Sequence, residues 1–309
     1  MRLRWGWYLR SKDDKRFFTF LLPFAGIIFG VFVLTFLVFL GYSYPVFLRE
    51  GLSFLTSWDW DPEGERYGVL AGLYGSVLTA AIAISIAVPL SISFALFVNE
   101  IAPRRIRSYL ISLMDLMAGV PTIIYGIWGL EVLAPLLLDY LERPLGFLIY
   151  GREPLTGYNY FTAGVMLASM ITPFVSSVVR ESYASIPATY REALYALGAT
   201  RFEASRVLIS YIRPALITGV VLGFGRALGE TAAVTLVIGN RIGPPSLNVF
   251  DSGVTVTSLI ATQFPFAFAY EYAIPALFGA GLILLLIGFS FNLAALLLTR
   301  RWVRKIGRI

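Results

Sequence analysis

Two opposite charges, Arg226 and Glu230, stand four residues apart inside PALITGVVLGFGRALGETAAVTLVIGN, a stretch over 214–240 that carries no other charge. A guanidinium stays charged at any working pH and offers paired donors that match phosphate oxygens, more strongly in a low-dielectric cavity than in water. A carboxylate one turn away could hold that arginine between events. As one helix the stretch is about 27 residues, enough at roughly 1.5 Å per residue to cross a bilayer core of about 30 Å. Arg226 then falls near mid-membrane. A lone arginine there costs about 2.5–3.5 kcal/mol on insertion scales, so it must face protein or a watered cavity. The spacing predicts an Arg226–Glu230 pair on one helical face. Two roles fit it equally: a gate whose arginine passes from Glu230 to a travelling anion, or a fixed ion pair that pins the helix to its neighbour.

Other groups stand close to the same chemistry. Asp115 is a second possible partner for Arg226, although its position also suits a membrane interface. Thr122, Tyr125, Thr172 and Thr231 are hydroxyls beside proline or charge, able to line a cavity or to hydrogen-bond between helices. Gly219, Gly223, Gly225 and Gly229 form two interlocked GxxxG spacings that let another helix approach closely, and Gly119, Gly126 and Gly129 read as packing contacts.

These groups need a membrane scaffold, and the composition supplies one. The chain is 57% hydrophobic and 14% charged, with a mean hydropathy of +0.74, whereas about a quarter of a soluble domain is charged. Neither cysteine nor histidine occurs, which excludes disulfide frameworks, the usual zinc and haem sites, and Cys/His or Ser/His/Asp catalysis. There is no GxxxxGK[ST] phosphate loop, so the chain cannot be an ATPase of that kind. Six apolar spans are expected, at 17–41, 67–98, 109–138, 161–179, 214–240 and 273–299, with Pro89, Pro121 and Pro173 marking cavities or hinges. The segments between them, including 42–66 with Trp58 and Trp60, 139–160 and 241–272, read as loops.

Nineteen of the 25 Lys and Arg residues fall in the N-terminus, 99–108, 180–213 and the tail, which predicts that those segments and both termini are cytoplasmic. The net charge of +6 is then an orientation signal and implies no nucleic-acid partner. Within 180–213, the piece IPATYREALYALGATRFEASRVLISYIRP has helical apolar spacing but is too polar to span. Two short helices meeting at Gly198 are expected there, offering Glu192, Ala193 and Tyr195 outward. From spacing alone, a docking element and a helix merely lying on the membrane fit equally well.

EALYALGATRFEASRV resembles the EAA loop by which ABC importer permeases seat a coupling helix on their ATPase subunits. Glu192, Ala193 and Gly198 match the family's Glu, first Ala and Gly; Leu194 replaces the second Ala, and the family's downstream Leu-Pro is absent. LMAGVPTIIYGIWGLEVLAP over 116–135 and GRALGETAAVTLVIGN over 225–240 resemble the C-type permeases of phosphate-specific ABC importers, from about residue 70 to the end.

The resemblance implies an all-α polytopic membrane protein: six transmembrane helices in the type I ABC importer permease fold, with a cytoplasmic coupling helix. It divides the chain into 1–66, a permease core over 67–300 and a basic tail over 301–309. It implies a non-catalytic subunit of the plasma membrane, surrounded by lipid and binding no cofactor. ATP and magnesium act on two partner ATPase subunits. An A-type permease completes a heterodimer, and an external phosphate-binding protein delivers substrate. A permease for another oxyanion and a secondary transporter relaying ions through Arg226, Glu230 and Asp115 are the alternatives. A membrane-embedded enzyme would need a nucleophile, base or metal cluster that the sequence lacks.

Overall fold

The computed structural model describes residues 12–306, so most of the basic N-terminus and the last three residues of the tail lie outside the described residues. Helix α1, Lys12–Glu50, extends the first apolar span at both ends. A one-turn helix and a two-residue hairpin follow, β1 (Trp60–Asp61) antiparallel to β2 (Arg66–Tyr67), joined back to α1 by an Arg49–Glu65 ion pair at 2.6 Å. Helix α2, Leu70–Leu96, carries Pro89 inside it and widens into a π turn at Phe97–Ile101.

The expected third span over 109–138 is not one helix. Proline disfavours helical backbone in the residue before it, and Val120, preceding Pro121, is extended at φ −67°, ψ 129°. The chain divides there into α3, Arg104–Gly119, with no buried residue, and α4, which runs continuously over Thr122–Tyr150 through two π turns. The expected loop over 139–160 therefore begins only at Gly151, whose φ of +69° ends α4 in the left-handed conformation that glycine adopts without penalty. Asn159 caps α5, Tyr160–Ala184, by accepting a hydrogen bond from the Thr162 amide at 2.9 Å.

After α5 come α6, Ala188–Ala196, and α7, Arg201–Tyr211, joined by a turn at Gly198 with φ +81°, in the expected place. The axis then bends by 67° into α8, Arg213–Gly229. The fifth span also differs from expectation. It is not continuous over 214–240, because Glu230 is extended at φ −72°, ψ 124°, and helix resumes only as α9, Ala232–Val237. Glycine at 229 and β-branched threonine at 231 hold helix weakly, and the Glu230 carboxylate gains more by accepting from the Ala233 amide at 3.3 Å. Gly239 and Asn240, at φ +85° and +50°, then end α9.

The region expected as a loop over 241–272 contains α10, Val256–Gln263, and a 3₁₀ turn, Phe264–Ala269. Together they are too short to cross a bilayer. Their apolar face is buried instead, with Val256 and Leu259 packed beside Ala276 and Leu277 of the last helix, α11, Ala273–Ile306. Among the described residues, five helices are long and apolar enough to cross a membrane, and α8 with its bent neighbour brings the number to six.

The core forms where α2 lies against α5. Ala80, Ala83 and Ala87 share one face of α2 at 0% exposure, and their small side chains let Ala163, Met166 and Leu167 of α5 approach closely. Helix α8 packs on this pair, and Gly223 is where it comes nearest: a Cβ there would sit 2.9 Å from Val175 Cγ2. The expected GxxxG contact is thus divided. Gly219 and Gly223 face α5, while Gly225 and Gly229 face open space. Gly126 and Gly129 do pack, against Ala233 and Val237, whereas Gly119 meets nothing.

Candidate translocation face and coupling surface

The predicted Arg226–Glu230 pair is absent. Once the helix ends at Gly229, Glu230 no longer lies one turn above Arg226, and its carboxylate is turned to the amide of Ala233. Arg226 forms no ion pair among the described residues; its guanidinium carbon stands 5.9 Å from the centre of the Phe174 ring, and the side chain is exposed. The broken backbone is nevertheless satisfied, since Thr257 of α10 donates its hydroxyl to the Glu230 carbonyl at 2.8 Å and Thr235 donates to the Thr231 carbonyl at 2.7 Å. Non-helical backbone at membrane depth is tolerated only where protein or a cavity meets its polar groups. Exposed Arg226 and Gly229, with half-buried Gly225 beside them, thus form an uncovered face near the end of α8 that carries a permanent charge.

The other predicted residues disperse. Asp115 is an exposed residue of α3 and stands 3.8 Å from Arg180 of α5, which removes it as a partner of Arg226. Tyr125 is buried and donates its hydroxyl to the Met117 carbonyl at 2.8 Å, closing the kink between α3 and α4 across Pro121. Thr122 is half-buried in the first turn of α4. Thr172 returns its hydroxyl to Ala168 within α5, and its carbonyl accepts from Ser91 of α2 at 3.1 Å, beside Pro173. Thr231 lies at the break, its hydroxyl 3.4 Å from the Gly229 carbonyl.

On α6 the side chains separate by face. Glu192, Ala193 and Tyr195 are exposed, as is Gly198 in the turn beyond. Arg191 and Leu194, three residues apart, point the other way: Leu194 packs on the cluster of Ala95, Val179, Tyr183 and Leu208, and Arg191 reaches Glu100 in the π turn at 2.9 Å. A capping box of Thr200 and Glu203 starts α7.

Two polar clusters escaped the sequence reading. Glu142 is wholly buried and accepts hydrogen bonds from Asn159 and Thr162, each at 2.7 Å, tying the end of α4 to the start of α5. The available signal was Asn159 placed just before an apolar run, a helix-cap position. Nearby, a cavity of about 220 Å³ is lined by Arg152 and Arg241 together with Glu153 and Asp251, and Arg152 is paired with Asp251 at 2.7 Å. Its charges balance, so nothing there favours an anion. The second cluster surrounds Glu100 at the far end of α2.

Both the fold and the sequence define a class. The family of binding-protein-dependent transport system inner membrane components matches residues 87–304, and the chain belongs to it. It is a multi-pass membrane permease component of an ABC importer. Among its relatives is the probable phosphate transport system permease protein PstC of Methanocaldococcus jannaschii, 45% identical over 303 residues and covering 95% of each chain. The phosphate transport system permease protein PstC of Xylella fastidiosa is 41% identical over 270 residues, covering 84% of this chain and 82% of its own. Among solved structures, a bacterial ABC transporter involved in alginate import aligns with a TM-score of 0.54 at 16% identity, over 93% of this chain and 99% of its own. The MetNI methionine ABC transporter aligns with a TM-score of 0.52 at 17% identity, over 76% and 94%. At those identities the likeness concerns the fold alone.

Proposed function

We propose that this chain is one half of the membrane pore of an ATP-driven importer that moves inorganic phosphate into the cytoplasm, and that it is itself non-catalytic. The observation that carries the reading is Arg226: a guanidinium on an exposed face of a spanning helix, with no carboxylate opposite it among the described residues. Such a face is costly against lipid. A companion permease of the A type would cover it, and phosphate passing between the two would meet the guanidinium. The names of the close relatives support phosphate as the substrate.

On this reading both termini and α6 with α7 are cytoplasmic, and Glu192, Ala193, Tyr195 and Gly198 dock one of two ATPase subunits, which bind the ATP and magnesium. The opposite side receives an external phosphate-binding protein. Glu230 shapes the path by breaking the helix and capping α9, with Thr231 beside it. The test is uptake of radiolabelled phosphate by the assembled importer carrying Arg226→Gln, with arsenate and sulfate as competitors. Uptake should fall by at least tenfold, while transport at the full rate would remove Arg226 from the path. Stronger competition by sulfate than by arsenate would point to a different oxyanion.

A further inference from the structure

The polar cluster at the end of α2 lies away from Arg226 and from the exposed face of α6, yet it joins four helices. Glu100 and Asn99 both project from the π turn at Phe97–Ile101, where the extra residue per turn swings consecutive side chains toward different neighbours. Glu100 Oε1 accepts from the Tyr183 hydroxyl of α5 at 2.8 Å and from Arg191 of α6 at 2.9 Å. Asn99 accepts from Arg107 of α3 at 2.7 Å and lies 3.4 Å from the Arg180 carbonyl of α5. The Glu100 side chain is only 11% exposed, so its charge has two charge-assisted or hydroxyl donors and little water. Arg191 also lies over the Tyr183 ring, 5.8 Å from its centre.

We propose that Glu100, Tyr183 and Arg191 form a latch that makes α6 a rigid lever on α2 and α5, so that force received on its outer face moves the spanning helices. The proposal rests on the reading of α6 as the ATPase-docking element, and it assigns positioning residues to the opposite face. The geometry separates the two jobs along one short helix: Glu192, Ala193 and Tyr195 point outward, while Arg191 and Leu194 grip the scaffold. Leu194 supplies apolar contact that can slide. The ion pair, with a fixed acceptor in the π turn, sets the direction. Helix α8, which carries Arg226, packs on both α2 and α5, so a shift of that pair reaches the translocation face through continuous packing.

The experiment uses the complete importer in proteoliposomes and measures phosphate moved per ATP hydrolysed, together with the amount of ATPase subunit bound. Glu100→Ala should leave the ATPase bound and lower the ratio by about tenfold, the scale of losing a hydrogen bond to a charged group. Exchanging the charges, Glu100→Arg with Arg191→Glu, should restore most of the loss, which separates a need for the pair from a need for either charge alone. Tyr183→Phe keeps the ring in its cluster and deletes one donor, so it should show a smaller fall even if Glu100→Ala does not fold. An unchanged ratio in Glu100→Ala and Tyr183→Phe overturns the latch, as does a fall that the exchange leaves unrepaired. Failure of the docking reading itself is read separately, because a chain carrying Glu192→Arg and Tyr195→Ala on the outer face of α6 would then retain as much ATPase as the wild type.

Discussion

Thr257 holds the carbonyl of Glu230 at 2.8 Å, and this bond from α10 stabilises the break that separates α8 from α9. Replacing it by Thr257→Val keeps the shape and leaves a carbonyl without its donor. The expected loss is about 1–3 kcal/mol, read as a lower unfolding temperature in detergent, and Thr257→Ser should recover it.

Gly223 and Gly225 stand two residues apart with opposite surroundings. Gly223→Val would drive methyl groups into Val175 and should destabilise the chain by about 1–3 kcal/mol in the same measurement. Gly225→Ala meets open space and should leave the isolated chain unaffected, while weakening its association with the companion permease, measured by co-purification.

Asn159 serves two partners, accepting from the Thr162 amide and donating to the buried Glu142 carboxyl. Asn159→Ala removes a helix cap worth about 0.5–2 kcal/mol and leaves Glu142 short of a donor. The combined loss should exceed that of Thr200→Ala, which deletes an exposed cap, when the two are compared by denaturation.

The Glu203 carboxyl is held below its usual range, first by the Thr200 backbone amide and then by the Thr200 hydroxyl. A depressed carboxyl contributes order that is complete above its unfolded value and is lost as pH falls through the folded one. The first turn of α7 should therefore fray only below pH 4.5, the ordinary value for the group. Amide exchange at Glu203 and Ala204 would show it, and Thr200→Ala should shift the onset upward.

Glu192→Ala alters the outward face of α6 alone. Membrane insertion should be unchanged and phosphate uptake should fall by about tenfold, with ATP hydrolysis uncoupled from transport. Undiminished uptake would remove the docking role from this loop.

The spans and the two short helices α6 and α7 were legible because they depend on local features. Apolar length marked the membrane helices, and Gly198 marked the turn between α6 and α7, whose φ of +81° few other residues accept. The breaks at Pro121 and Glu230 were harder. Pro121 was visible as a hinge candidate, but the division of the span into α3 and α4 depended on Tyr125 reaching back to Met117. Nothing in the apolar pattern marks Glu230 as extended, since helical spacing places it beside Arg226, and the alternative draws on its cap of the Ala233 amide and on the donor from Thr257, 27 residues on.

By itself, the sequence determined that this is a helical membrane permease, how many spans it has to within one, and that Arg226 is costly wherever lipid meets it. The spans and the burden of Arg226 follow from hydropathy, charge and residue spacing, which act over a turn or two, and the permease class follows from the motifs over 116–135, 192–207 and 225–240 that resemble its family. Tertiary structure alone decided that Arg226 and Glu230 part company, that Asp115 answers to Arg180, and that Glu100 grips Arg191 and Tyr183. Each is a contact between residues brought together by packing, so its energy depends on distances that no local pattern contains.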